Sequence, residues 1–345
     1  MPFADIVGHR GAVALLASAV ARGSLPPSLL LTGDDGVGKR TVALAVAQAI
    51  NCAAPRSGTG RDRGVDLAAD ACGRCGPCAR IGRDAFPDVR TLVPGETGTI
   101  SIDAVRAAIE QAGYRPFEGR RRVVVIDQAD RLLPPAQNAL LKVLEEPPAA
   151  CQFLLVTSRP DVLLDTVRSR CPRIRFGQLA PEDVVRILTA SHGWDEAAAR
   201  ASAAAAGGSV GRALAAASGE HAAAREAAVS LLESTAAARN PRARIEAAKT
   251  LASRSGGRRA PAADRDALRL RLEALASLLR DMEVIASRAG APLANDDLGD
   301  GLRRLARAYR DGRGLRAFAA VDEAAAAVAR NASPKIVADW LACRL

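Results

Sequence analysis

Residues Gly33-Asp34-Asp35-Gly36-Val37-Gly38-Lys39 carry the spacing G-x-x-x-x-G-K. An apolar run, Leu29–Thr32, precedes them and a helical pattern follows, the context in which such a loop cradles phosphate. The glycines let backbone N–H groups turn toward phosphate oxygens. The helix N-terminus attracts the anion, and Lys39 reaches the outer phosphates. Lys39 is one of only four lysines among 48 basic residues, so its place is informative. The next residue ordinarily supplies a hydroxyl to Mg²⁺. Here it is Arg40, and Thr41 comes one position later, about 100° further round a helix. ATP or ADP can be a ligand of such a loop, but metal-assisted hydrolysis is not expected.

A second apolar run, Val123–Ile126, ends in Asp127, as a strand that holds a metal carboxylate does. The following position would carry a glutamate to polarise water. Gln128 stands there, and a neutral amide cannot accept the proton. Arg40 and Gln128 point the same way, to a chain that does not hydrolyse ATP by itself.

Cys72-Gly-Arg-Cys75-Gly-Pro-Cys78 gives two consecutive C-x-x-C spacings, with Cys52 upstream. In an intracellular protein this pattern is expected to hold structural Zn²⁺ through four thiolates, with no position left open for catalysis. A redox pair, or thiols surviving from a lost site, is the alternative. Cys151 and Cys343 are expected to be small core residues. Further on, Asp165-Thr-Val-Arg168-Ser169-Arg170-Cys171 places arginines after a fourth apolar run. Locally this is either a helix end with solvated arginine or an arginine that reaches a neighbour's phosphate.

Strands and helices must position these groups. Apolar, partly β-branched runs at Leu29–Thr32, Val89–Val93, Val123–Ile126 and Phe153–Thr157, with a fifth candidate at Arg173–Phe176, alternate with helical patterns. That alternation predicts a parallel α/β sheet covered on both faces. The pattern changes near Gly177. Helices are expected over Pro181–Ser191 and Asp195–Ala206, with a break at Gly207-Gly208-Ser209 before a third. From about Glu220 onward the chain reads as all-α, interrupted at Asn240–Pro241, Ser255–Pro261 and Gly290–Pro292. The segment SGGRRAPAAD reads as an exposed loop, and Leu268, Leu272, Leu275 and Leu279 recur at helical spacing.

The 345 residues are 49% hydrophobic and 25% charged, a globular composition with room for two or three domains. No apolar run reaches the roughly 18–20 residues of a membrane span, and no secretory leader is evident. A cytoplasmic location is expected. The net charge of +10 divides evenly, +5 in residues 1–175 and +5 in the rest, so no basic tail carries it. A spread excess is compatible with a DNA-facing surface without establishing one.

Together these segments resemble the AAA+ clamp-loader subunits of bacterial DNA polymerase III. The likeness covers about residues 3–215. It includes Leu25-Pro-Pro-Ser-Leu, the Cys₄ knuckle, Phe86-Pro87-Asp88 (usually His-Pro-Asp in the family) and Ile102-Asp-Ala-Val-Arg106. It also includes Asn138-Ala-Leu-Leu-Lys142-Val-Leu-Glu145-Glu146-Pro147-Pro148 and Ser169-Arg170-Cys171. The resemblance implies a RecA-like, nucleotide-binding AAA+ P-loop domain at 1–177 with a Cys₄ zinc module at 52–78. A helical lid at 178–217 and a helical collar for oligomerisation at 218–345 follow. It further implies a place in a hetero-pentameric ring with tau/gamma and delta subunits, acting on a sliding clamp and primer-template DNA. The chain would thus belong to a DNA-directed DNA polymerase holoenzyme, a nucleotidyltransferase. By the same resemblance Arg170, with Ser169 and Cys171, is a finger for a neighbouring ATP site, and Thr157 takes the sensor-1 position. Gly211 stands where Gly-Ser-x-Arg would put the sensor-2 arginine, a third departure from an active site.

Overall fold

A computed structural model describes residues 1–60, 66–238, 240–252, 261–290, 293–330 and 332–345. The chain divides into two compact units, Met1–Ala213 and Leu214–Leu345.

The first unit is built on a five-stranded parallel sheet. Its strands are β1 (Ser28–Thr32), β4 (Val89–Leu92), β5 (Arg122–Ile126), β6 (Cys151–Thr157) and β7 (Arg173–Arg175). They lie in the order β4-β5-β6-β1-β7. Every residue of β1 and β6 is buried, as a parallel strand covered on both faces must be. Alternate side chains serve opposite layers. Leu29, Leu31, Val123, Val125, Leu154 and Val156 pack with the helices Arg10–Ala21 and Lys39–Asn51. Leu30, Val124, Ile126, Phe153 and Leu155 pack with the helices Ile102–Ala112 and Pro134–Glu145. Side-chain chemistry sets where these helices begin. Ser101 accepts a hydrogen bond from the Ala104 N–H, and Pro134 opens its helix where no backbone donor is needed.

All five strands anticipated from the sequence form. The fourth starts two residues early, at Cys151, and the fifth stops at Arg175. Residues Arg56–Thr59 (β2) and Asp66–Asp70 (β3) add an antiparallel pair that the sequence pattern did not suggest. The register sets Thr32 beside Thr157 and Ile126 beside Leu155. The carboxyl ends of β1, β5 and β6 therefore open on one crevice, where the chain order reverses and ligands of such sheets bind. Three helices complete the unit: Pro181–His192, Glu196–Ala205 and the start of Val210–Ala216.

The second unit is all helix among the described residues. Its helices are Gly219–Ala237, Pro241–Ala252, Pro261–Ser287, Gly299–Ala308, Arg313–Ala329 and Pro334–Arg344. Leu268, Leu272, Leu275 and Leu279 all point into its core, as their spacing implies. The break at Asn240–Pro241 falls between two helices. Of the exposed loop expected at 255–264, residues 255–260 lie outside the described residues and residues 261–264 instead open the helix Pro261–Ser287, proline being well placed at a first helical position. The break at Gly290–Pro292 lies partly outside the described residues. Cys343 also departs from expectation: it is exposed rather than buried, because it lies on the outer side of a helix whose inner side is Val337, Ala338, Leu341 and Ala342. Cys151 is buried, and burial pushes its thiol up to about 11.

Candidate functional site

The phosphate-type loop leaves β1 and enters the helix Lys39–Asn51. Gly36 and Gly38 take φ of 75° and 102°, a region open to glycine. The Lys39 ammonium turns back on its own loop, donating to the carbonyls of Gly33 at 2.7 Å and Asp34 at 2.6 Å. Burial lowers its pKa, against the pull of Asp35, Asp127, Asp130 and Asp34.

The segment after Gly207 sits directly on this loop. Ser209 Oγ donates to the Asp35 carbonyl at 2.7 Å, and the Gly211 N–H to the Gly36 carbonyl at 3.1 Å. Gln178 Nε2 donates to Asp34 Oδ2 at 3.2 Å. The two backbones approach so closely that a Cβ on Gly211 would stand 2.7 Å from the Gly36 Cα. Any side chain there requires the loop and the helix Val210–Ala216 to part. His9, which the sequence reading passed over, closes the loop's other flank. Its Nε2–H donates to the Val37 carbonyl at 2.7 Å, and its ring stands edge-on to Phe176 at 5.0 Å. Burial is the main cause that lowers its pKa and favours the neutral ring.

Arg40 answers the question raised by the missing hydroxyl. Its Nε lies 3.7 Å from Asp127 Oδ2, so the carboxylate expected to face a metal faces a guanidinium. Burial raises the pKa of Asp127, opposed by Arg40 and the Gln128 N–H. Gln128 is exposed and left-handed, with φ of 56°. Thr41 lies half-buried on the helix beyond Arg40. Thr157 stands beside Thr32 in the sheet; its hydroxyl donates to Asp130 Oδ1 at 2.7 Å and accepts the Arg159 N–H at 3.0 Å. The Arg159 guanidinium holds the other Asp130 oxygen at 2.8 Å. Lys39, Asp127, Arg40 and the Gly36–Gly211 contact thus share one crevice.

Ser169-Arg170-Cys171 lies past the helix Asp165–Arg168. Cys171 is buried, its thiol pushed up to about 11 by burial, and Ser28 Oγ donates to the Arg170 carbonyl at 2.9 Å. These contacts fix the backbone, while the Arg170 side chain stays partly exposed and meets Glu145.

The four cysteines converge as their spacing implies. Their Sγ atoms all lie within 4.8 Å of one another, with Cys52 and Cys75 3.9 Å apart. A tetrahedral zinc thiolate with bonds of about 2.3 Å has edges of about 3.8 Å. Backbone N–H groups point at sulfur, from Cys72 to Cys52 at 3.2 Å and from Cys75 to Cys72 at 3.3 Å. The backbone N–H of Arg74 leads the causes that lower the Cys72 thiol to about 6. Four soft donors, three of them buried, fit a closed zinc site. The chain's start packs beside it: the N–H groups of Phe3 and Ala4 donate to buried Asp70 at 2.8 and 2.9 Å.

A family model described as "DNA polymerase III, delta subunit" matches residues 8–180. The tau subunit of DNA polymerase III from Salmonella typhimurium is 32% identical over 182 residues, 53% of this chain and 26% of that protein. The gamma/tau subunit from Mycobacterium tuberculosis is 30% identical over 186 residues, 54% of this chain and 30% of the relative. The gamma subunit from Buchnera aphidicola is 28% identical over 186 residues, 54% and 48%. The match therefore spans about a quarter to a half of the length of these relatives. Among solved structures, a gamma subunit-related protein from Thermotoga maritima is 17% identical over 88% of this chain and all of its own, with a TM-score of 0.37. A RuvB mutant from the same organism is 16% identical over 86% and 83%, with a TM-score of 0.40.

Proposed function

The chain belongs to the DNA polymerase III, delta subunit family, and from that membership we propose that it is the non-hydrolysing, delta-prime-type stator of a bacterial clamp loader. In this role it supports ATP-dependent loading of a sliding clamp onto primed DNA. It completes a neighbour's ATP site with Arg170 and does not turn over ATP itself.

The observation that carries the reading is the ion pair between Arg40 and Asp127. A divalent cation between these positions would have to displace a guanidinium and then do without both a hydroxyl ligand and a glutamate base. Lys39, bonded to its own loop, and Gly211, pressed on Gly36, support the same reading. Nucleotide binding would require Lys39 to exchange two carbonyls for phosphate.

The proposal keeps the three-part organisation expected from the sequence, with divisions near 177 and 217. It takes Zn²⁺ as the structural ion of Cys52, Cys72, Cys75 and Cys78. Its partners are tau/gamma and delta subunits in a pentameric ring, the clamp and primer-template DNA, in the bacterial cytoplasm. No described helix is long and apolar enough to cross a membrane. A second reading, an ATP-hydrolysing tau/gamma-type subunit, is favoured by the names of the relatives above.

Steady-state ATP turnover of the isolated chain decides between the two. The stator reading expects no turnover above background in the presence of Mg²⁺. Turnover of several per second would establish the motor reading instead.

A further inference from the structure

Glu145 is the last residue of the helix Pro134–Glu145. A carboxylate there faces the negative end of the helix dipole, where a cation is favoured. Glu146 follows immediately, so this helix end carries two acids. Local structure gives no reason for Glu145; its partner is tertiary. Its Oε1 lies 2.6 Å from Arg170 Nη2. The same guanidinium donates through Nη1 to the Thr166 carbonyl at 3.0 Å. Arg170 is thereby folded back on its own unit with two of its nitrogens engaged. Both side chains remain partly exposed, so the pair can open toward solvent without disturbing the core.

On the reading that Arg170 serves a neighbour's nucleotide, we propose that Glu145 is a restraint acting within the chain. It holds and neutralises the Arg170 guanidinium until a phosphate competes it away. Carboxylate and phosphate are the two partners that a guanidinium fork fits, so one replaces the other by simple exchange. While paired, Arg170 offers little net positive charge across the subunit boundary. Exposed ion pairs are weak, which makes this restraint one that ATP can overcome. Arg168 does not stand in for it, because Asp161 and Asp165 already hold that side chain. Bond breaking stays in the neighbour's site; this chain contributes charge alone.

The test uses a clamp loader reconstituted from the full-length chain and its ATP-hydrolysing neighbours. ATP turnover without DNA or clamp is compared for the unmodified chain, Glu145→Gln and Arg170→Ala. Glutamine keeps the side chain's size and removes a charge that the helix end disfavours, so the fold is expected to persist. Glu145→Gln should raise this basal turnover by about two- to fivefold. In the isolated chain it should also speed phenylglyoxal modification of Arg170, followed by peptide mass spectrometry. Unchanged or lower turnover, together with an unchanged modification rate, overturns the restraint. If Arg170→Ala leaves turnover intact, the finger reading itself has failed, and the modification rate alone then judges the Glu145–Arg170 restraint.

Discussion

Asp88 shows how far one buried carboxylate can organise a surface. It accepts hydrogen bonds from the N–H groups of Phe117 at 2.7 Å, Glu118 at 2.9 Å and Gly119 at 2.7 Å, with Arg122 3.6 Å away. Asn51 Oδ1 takes the next two N–H groups, Arg120 and Arg121. The loop they pin holds Phe117 with 81% of its surface exposed. Burial pushes the Asp88 carboxyl up, but the three N–H groups and Arg122 outweigh it and hold it below the usual carboxylate range. A depressed pKa contributes stability above the ordinary value, and that contribution is lost as pH falls through the folded-state value. Asp88→Asn should therefore cost about 1.5–3 kcal/mol at pH 7. Its stability should converge on that of the unmodified chain as pH drops below about 4. Urea denaturation across pH measures both. The Phe-Pro-Asp triplet was legible in the sequence, but its role was not. The groups that Asp88 binds come about 30 residues later, and only the fold brings them together. Arg40 and Gln128 differ: the expectation they raise rests on sequence alone, because each stands at a defined position in a fixed spacing.

At the scale of elements, the sequence predicted the sheet strands well because buried parallel strands announce themselves as short apolar runs. The β2–β3 pair left no such trace. Its β2 segment, Arg56-Ser-Gly-Thr59, has no apolar alternation and pairs with β3 beside the cysteine cluster. Arg56 Nη2 donates to the Cys72 carbonyl at 2.8 Å, tying strand to knuckle. The four cysteines themselves pack as a small separate cluster, too small to hold this module by apolar burial alone. Metal should therefore supply much of its stability. Protein purified without added metal is expected to carry about one equivalent of zinc. Chelation, or Cys75→Ser, should open residues 52–78 to limited proteolysis while the parallel sheet persists. Fewer than about 0.2 equivalents with full protease resistance would reject a structural metal.

For the whole molecule, the described helices of the second unit pack around an apolar core that specific polar groups anchor. Buried Asp281 is one of them, accepting from the Asn295 N–H and Nδ2 at 2.8 Å each. The Thr235–Tyr309 hydroxyl pair at 2.8 Å is another. Leu275 is fully buried among Leu272, Leu278 and Leu279. Leu275→Ala should cost about 2–5 kcal/mol. In a Trp194→Phe background, the remaining tryptophan, Trp340, packs against this core and reports the loss by fluorescence in a urea titration. The leucine spacing alone was enough to identify this face, since a helix with one apolar stripe has one way to bury it. The outward position of Cys343 was not legible, because cysteine is tolerated on either side and only the helix phase decides.

By itself the sequence determined the order of the parallel-sheet strands and the main helices, the phosphate-type loop with its departures from the usual spacing, and the cysteine quartet. Each of these depends on spacing along the chain, where a period of two, a period of 3.6 or a fixed glycine pattern leaves a direct mark. Tertiary structure alone decided what each charge meets: Arg40 on Asp127, Lys39 on its own loop, Thr157 on Asp130, Glu145 on Arg170 and Gly211 against Gly36. Most of those pairs are separated by tens of residues. Which partner a side chain finds depends on strand order and on the few ångströms between packed elements, and neither is written in local spacing.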